Sequence, residues 1–159
     1  MQPVDSYIRT QGINCAVINM VINPVVAWLG NRQMDFMPLS GGNSIVVDTA
    51  VTSIVLSLLV ALFIASGVRR DLHAGRLETT AGSLRAGGLL SHLPKQAWAL
   101  GLLLGLGMAC VLTPLTLWLF HALGFSGLPF GWFALFKAIY TPVIGYVLTR
   151  WVILRQLMD

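Results

Sequence analysis

Charge is scarce in this sequence of 159 residues, of which only 10% are Asp, Glu, Lys or Arg. Soluble domains carry about 25% charged residues. Hydrophobic residues make up 56% of the chain, and its mean hydropathy is +0.77. A chain of this composition would aggregate in water. The scarcity of charge therefore excludes an ordinary soluble domain and predicts a protein that is solvated by lipid.

Cysteine is rare as well. Cys15 and Cys110 both lie in apolar stretches, and no CxxC or Cys/His ligand spacing accompanies them. The sequence therefore predicts no disulfide framework, no metal site and no cofactor. It also lacks the common hydrolase and nucleotide-binding motifs, so we predict no enzyme activity. The first residues lack the pattern of a cleaved secretory signal, and we expect the first apolar segment to remain in the protein.

Four apolar segments are long enough to cross a hydrocarbon core, which requires roughly 20 residues of helix. They comprise residues 8–30, 44–68, 97–123 and 133–154. We predict an all-α integral membrane protein in which residues 1–159 form a single domain with four transmembrane helices.

Basic residues cluster between the second and third segments. This loop, residues 69–96, contains Arg69, Arg70, Arg76, Arg85 and Lys95 against only Asp71 and Glu78. The excess of Lys and Arg predicts that the loop and both termini face the cytoplasm. The loop could bind anionic lipid headgroups, either as an irregular connection or with residues 84–93 as an amphipathic helix. Because the basic residues flank apolar segments, the net charge of +4 does not indicate nucleic-acid binding.

The two halves of the chain resemble each other. Residues 21–29 (VINPVVAWL) and 111–119 (VLTPLTLWL) share Val, Pro, Trp and Leu at positions 90 residues apart. With an offset of 89, residues 36–42 match residues 125–131 at Phe, Leu and Gly, and Asp48 aligns with Lys137. We predict two tandem helix-hairpin repeats, residues 8–68 and 97–154, in parallel orientation. Chance similarity between apolar helices is the alternative.

Asp48 and Lys137 are charges inside predicted spans, each about one turn from the outer end of its helix. Thr52 and Thr141 follow one turn deeper. A lone charge in mid-membrane costs about 2.5–3.5 kcal/mol, so such residues usually pair or line a polar cavity. We predict an intramembrane ion pair or a polar path. The alternative is interfacial placement, with Lys137 snorkelling and Asp48 stabilised by the helix dipole.

Amide and small side chains mark the first and third segments. Asn19 and Asn23 would line the polar path or join helices through hydrogen bonds, and Thr113 aligns with Asn23. Close helix packing is predicted at Gly12, Gly30, Gly101, Gly105 and Ala109.

Pro24, Pro114 and Pro142 interrupt the predicted helices. Each removes one backbone hydrogen bond and predicts a kink. A carbonyl oxygen freed in this way can coordinate a cation or solute inside a bundle. Kinks without a ligand are the simpler alternative, because membrane helices tolerate proline.

One stretch of sequence resembles a group of known proteins. The stretch consists of Pro38, Leu39, Ser40, Gly41 and Gly42, then Asp48 and Thr49, then Arg69 and Arg70. It is similar to short, uncharacterised bacterial inner-membrane proteins that are sometimes labelled permeases, and the likeness covers about a quarter of the chain. The resemblance implies a multi-pass protein of the bacterial inner membrane and brings no established activity.

Two functions fit these patterns. In the first, the chain is a small transporter or channel, acting as a homo-oligomer because four helices enclose little space. In the second, it is a structural or regulatory membrane subunit whose basic loop binds a partner protein or anionic lipid.

Overall fold

The computed structural model describes residues 2–77 and 92–158. Within these residues it contains four long helices and two short strands. They are α1 (Val4–Asn31), β1 (Phe36–Pro38), α2 (Ile45–His73), α3 (Ala97–Ala122), β2 (Gly127–Pro129) and α4 (Phe130–Leu157). All four helices are long and apolar enough to cross a membrane, which confirms the predicted helix count and the all-α class. The predicted amphipathic segment, residues 84–93, lies almost entirely outside the described residues.

Three of the four helices, α1, α2 and α4, extend beyond the predicted apolar segments, whereas α3 ends one residue earlier than predicted. The largest extension is in α2, which continues through the charged residues Arg69 and Arg70 to His73. Hydropathy marks only the residues that must lie in hydrocarbon, whereas helical hydrogen bonds continue until a residue ends them. Here α2 ends just before Gly75, whose φ of 65° is readily adopted only by glycine. At its other end, Ser44 caps α2 by accepting a hydrogen bond from the Val47 amide.

The two helices within each half of the chain, α1 with α2 and α3 with α4, make no extensive contact among the described residues. The extensive contacts are α2 with α3 and α1 with α4, and α2 also meets α4 at the centre of the bundle. Each helix therefore packs mainly on a helix from the other half of the chain. The two helices of each predicted repeat therefore do not form a packing unit of their own.

Small residues of α3 allow its close approach to α2. A β-carbon at Gly101 would lie 2.8 Å from the Cα of Leu58, and one at Gly105 would lie 2.8 Å from the Cα of Ile54. Ala109, one turn further along, is buried as well. The backbones therefore approach each other directly at these two glycines.

The contact between α1 and α4 uses glycine from both helices. Gly12 of α1 lies against the ring of Tyr146, and Gly145 of α4 lies against the side chain of Asn19. Gly30 does not share the predicted packing role. It is exposed, and among the described residues no atom outside its own helical surroundings lies within 4 Å of where its β-carbon would be.

The two short connections join each other through an antiparallel ladder. Phe36 pairs with Pro129, Met37 with Leu128 and Pro38 with Gly127. The Leu39 amide continues the ladder by donating to the Ser126 carbonyl at 2.8 Å. A side chain at position 127 would collide with the Met37 carbonyl, so the strands can approach only because glycine stands there. We call this end of the bundle the strand end.

The opposite end, which we call the termini end, holds the beginning of α1 and the ends of α2 and α4. There the Tyr7 hydroxyl donates to the Asp71 carboxylate at 2.9 Å, and both side chains are buried. An apolar core fills the bundle from its middle toward this end. Its buried members are Leu56, Val60, Ala61, Ala65, Leu100, Leu104, Ile144, Leu148 and Val152. The buried polar side chains of the spans lie mainly in the other half, toward the strand end.

Candidate functional site

An ion pair between Asp48 and Lys137 lies where α2 and α4 meet. Asp48 belongs to the first turn of α2, where the helix dipole stabilises a negative charge. The Lys137 Nζ donates to Asp48 Oδ2 at 2.7 Å and to Asp48 Oδ1 at 2.9 Å. A third hydrogen bond runs from Nζ to the Thr52 hydroxyl at 3.0 Å. All three protons of the ammonium group therefore have an acceptor.

The two charges differ in their exposure. The Lys137 side chain is 3% exposed, whereas that of Asp48 is 21% exposed. The Asp48 carboxylate reaches the surface through a pocket of about 200 Å³ at the strand end. Polar side chains of Asn31, Asn43 and Ser44 line this pocket. A water molecule, proton or small cation arriving from the strand end would therefore meet the carboxylate before the ammonium.

Two aromatic rings of α4 surround the pair. The Lys137 Nζ lies 5.6 Å from the centre of the buried Phe133 ring, within the range of a cation–π contact. Tyr140, one turn along α4, places its hydroxyl close to Thr49 and Thr52 of α2. That hydroxyl is buried, and no described residue has hydrogen-bond geometry to it. The Tyr140 hydroxyl is thus a polar group next to the ion pair that is available for a hydrogen bond.

Thr141 connects the ion pair with the asparagines of α1. Its hydroxyl lies 2.7 Å from the carbonyl oxygen of Lys137 and 3.2 Å from that of Asn19. The Asn19 side chain accepts a hydrogen bond of 2.9 Å from Asn23 Nδ2. Three helices thus contribute to one polar cluster, which contains Asp48, Thr52, Lys137, Thr141, Asn19 and Asn23.

The other predicted site residues do not contribute hydrogen bonds to this cluster. Thr113 on α3 has a buried hydroxyl without a hydrogen-bond partner among the described residues and does not join it. Pro24, Pro114 and Pro142 stand inside α1, α3 and α4 as predicted. No described side chain donates a hydrogen bond to a carbonyl four residues before any of these prolines.

Sequence reasoning missed a row of hydroxyl groups on α2. Thr49, Ser53 and Ser57 follow one another at four-residue intervals and are buried. Thr49 and Ser53 each donate at 2.7 Å to the carbonyl one turn earlier, but the Ser57 hydroxyl has no partner in the part of the chain that the structure describes. The four-residue spacing is visible in the sequence and could have identified this row. It extends the polar half of the interior along α2, from the ion pair to the middle of the helix.

The cluster can hold a proton or a small polar solute, because it combines a partly exposed carboxylate with a buried ammonium and several hydroxyl and amide groups. Comparisons with protein-family models, with curated proteins and with solved structures find no match to this chain. Function is therefore inferred from the site itself.

Proposed function

We propose that this chain is a small transporter or channel-like protein of the bacterial inner membrane that moves an unidentified small solute or ion past Asp48 and Lys137. The observation that carries the proposal is the ion pair between a buried Lys137 and Asp48, which lines a pocket at the strand end. Ionisable residues inside membrane spans are costly, and they commonly mark ion or substrate pathways.

Membrane insertion is supported by the outer surfaces of the four helices. Large apolar side chains are exposed on all of them, including Val21 (57%), Phe63 (74%), Trp118 (67%) and Val143 (62%). Soluble monomers rarely expose apolar patches of such extent. In the proposed orientation, the termini end with its basic residues faces the cytoplasm.

Single-cysteine labelling from either side of the membrane tests this orientation. In a background without Cys15 and Cys110, Ser40→Cys should react with an impermeant maleimide added outside spheroplasts. Gln2→Cys should react only after the membrane is permeabilised. The reverse pattern would overturn the orientation.

The proposed duplication is supported by the β1–β2 ladder. With the offset of 89, Pro38 and Gly127 are equivalent positions, and they pair with each other. An antiparallel pair centred on equivalent residues has a local twofold axis. The helix contacts agree with this axis, because exchanging the halves converts the α1–α4 contact into the α3–α2 contact. We propose a pseudo-twofold arrangement in which each half contributes one charge to the pair.

In the proposed mechanism, the pocket gives a proton or cation direct access to the Asp48 carboxylate. A proton bound there neutralises Asp48 and weakens the two hydrogen bonds that hold the Lys137 ammonium. Lys137 would then keep Thr52 as its remaining acceptor, in surroundings that disfavour an unpaired charge. Movement of α4 relative to α2 would relieve that cost. Binding of a proton or cation in the pocket would in this way be coupled to the packing of the apolar core beyond it.

Flux measurements in vesicles test the proposal. The purified protein would be reconstituted with a pH-sensitive dye inside, and proton, Na⁺ and K⁺ fluxes would be driven by imposed gradients. The flux of at least one ion should be larger with the wild-type protein than in empty vesicles, and Asp48→Asn should abolish that flux. Asp35→Asn is the matched control, because it removes the same charge from an exposed position at the same end.

Two results would contradict the proposal. Equal flux in wild type and Asp48→Asn would remove the ion pair from the path. Wild-type flux equal to that of empty vesicles for all three ions would overturn ion transport.

The second candidate is a structural or regulatory membrane subunit that binds a partner protein or lipid. It is favoured by the packed apolar core toward the termini end, which leaves the polar half of the interior closed on that side. In that case, Asp48 and Lys137 would serve folding alone. Flux would then be absent, and variants of the pair would change stability only.

A further inference from the structure

We propose that two copies of this chain associate through the groove between α1 and α2, with the Asn14 side chains of the two copies hydrogen-bonded to each other. This inference rests on the proposed insertion in a membrane. It does not depend on whether the protein transports anything.

The groove exists because of the packing order of the helices. Since α1 packs on α4 and α2 packs on α3, the space between α1 and α2 is left unfilled. It has a volume of about 380 Å³. One wall includes Gln11, Asn14 and Ile18 of α1, and the other includes Leu59 and Phe63 of α2.

Among the asparagines of α1, Asn14 is the one whose side chain makes no hydrogen bond to a described residue. Asn19 donates to the Cys15 carbonyl at 2.8 Å, Asn23 donates to Asn19, and Asn31 donates to the Ala27 carbonyl at 3.1 Å. No described residue is bonded to the Asn14 amide, which is exposed on the groove side of α1.

The depth of Asn14 makes this exposure costly in a single copy. Asn14 lies about 5 Å from the midpoint of α1 at a rise of 1.5 Å per residue. A side-chain amide in hydrocarbon is strongly unfavourable when it has no hydrogen-bond partner. Gln11, one turn earlier on the same wall, also makes no hydrogen bond within the described part of the chain. These amides require a partner that carries polar atoms at the same depth.

A second copy of the chain meets this requirement. Two copies inserted in the same orientation place Asn14 at the same depth, and a twofold axis along the membrane normal brings the two residues together. A carboxamide is self-complementary, since its NH₂ group donates to the oxygen of the other copy. A phospholipid tail offers no polar group at that depth, because its ester and headgroup atoms lie at the interface.

Phe63 provides an apolar contact for the same surface. It is 74% exposed at the rim of the groove, more than any other large apolar residue described as exposed. Across a twofold axis, the ring of each copy can enter the groove of the other. The hydrogen bond and the ring would then use the same face of the bundle.

Self-association in lipid vesicles tests the proposal. The fraction of dimer would be measured by single-molecule photobleaching of the full chain over a range of protein-to-lipid ratios. Asn14→Leu should weaken dimerisation by about 3- to 20-fold, the effect expected for one interhelical hydrogen bond in a membrane. Leu59→Trp should also weaken it, by filling the groove. Leu103→Trp on α3 is the matched control, because Leu103 is 47% exposed and Leu59 is 46% exposed.

Cysteine crosslinking locates the contact independently of affinity. In a background without Cys15 and Cys110, oxidation should link Asn14→Cys into a covalent dimer. Val17→Cys should stay monomeric, because Val17 is exposed but does not line the groove.

Three results would overturn the proposal. The first is a wild-type protein that stays monomeric at every protein-to-lipid ratio. A monomer with a lipid bound in the groove is included in this result. The second is dimerisation unaffected by both Asn14→Leu and Leu59→Trp. The third is equal crosslinking of the two cysteine variants. A monomer with intact, Asp48-dependent flux would overturn this inference and leave the proposed function standing.

Discussion

Removing the two charges of the ion pair separately should have unequal effects on stability. Asp48→Leu leaves behind a lysine that is 3% exposed, whereas Lys137→Met leaves behind an aspartate that is 21% exposed. Breaking a buried ion pair by removing one partner costs about 3–5 kcal/mol, and solvent exposure of the remaining charge reduces that cost. We expect Asp48→Leu to lower the free energy of unfolding by about 3–4 kcal/mol and Lys137→Met by about 2–3 kcal/mol.

The double variant separates pairing from burial. Replacing both members of a buried pair by apolar residues is often close to neutral, so Asp48→Leu with Lys137→Met should cost less than Asp48→Leu alone. Exchanging the charges, as Asp48→Lys with Lys137→Asp, should restore much of the stability lost in either single exchange. Both expectations follow from the distances of 2.7 and 2.9 Å between the ammonium nitrogen and the carboxylate oxygens.

Reversible unfolding in mixed micelles measures these free energies, with the fluorescence of the five tryptophans as the signal. A double-mutant cycle then gives the interaction energy between positions 48 and 137. Single effects that add within about 0.5 kcal/mol would refute the pairing. A larger loss for Lys137→Met than for Asp48→Leu would refute the argument from exposure.

Two further predictions concern packing and the termini end. Gly101→Ala should destabilise the bundle by about 1–3 kcal/mol, because its β-carbon would lie 2.8 Å from the α2 backbone. Gly107→Ala should be neutral or stabilising, since nothing described lies within 4 Å of its β-carbon. Equal unfolding free energies for the two variants in the same assay would contradict the close packing at Gly101. Tyr7→Phe should cost about 1–3 kcal/mol by removing the 2.9 Å hydrogen bond to Asp71, and faster proteolysis near the N-terminus would report it. Unchanged proteolysis would mean that this bond does not hold the end of α1 in place.

The sequence was sufficient to identify the helices and the polar residues of the site. Long apolar segments are a direct consequence of bilayer thickness, so the helix count could be read from them. Asp48 and Lys137 stood out because charge is rare in such segments, and their equal depth suggested that they could meet. Their neighbour Tyr140 was missed because an uncharged aromatic residue inside an apolar segment does not stand out as a charge does.

The packing order of the helices could not be predicted in the same way. In lipid, apolar helix surfaces do not differ enough in hydrophobicity to select a neighbour, and selection depends on shape. The glycines of α3 indicated a close contact, but nothing in their spacing names α2 as the partner. The ladder between residues 36–38 and 127–129 was missed as well, because three-residue strands rich in glycine and proline carry no alternating pattern.

The packing of α1 on α4 has a consequence for the order in which the protein can assemble. A ribosome delivers α1 first, and α1 finds its main partner only after α4, the last helix, has been made. In the proposed membrane insertion, α1 can remain stable in lipid during this interval, because Asn19 and Asn23 bond to atoms of α1 itself. Asp48 precedes α4 in synthesis, so the acid can guide Lys137 into place. The last helix to be synthesised thus completes the bundle.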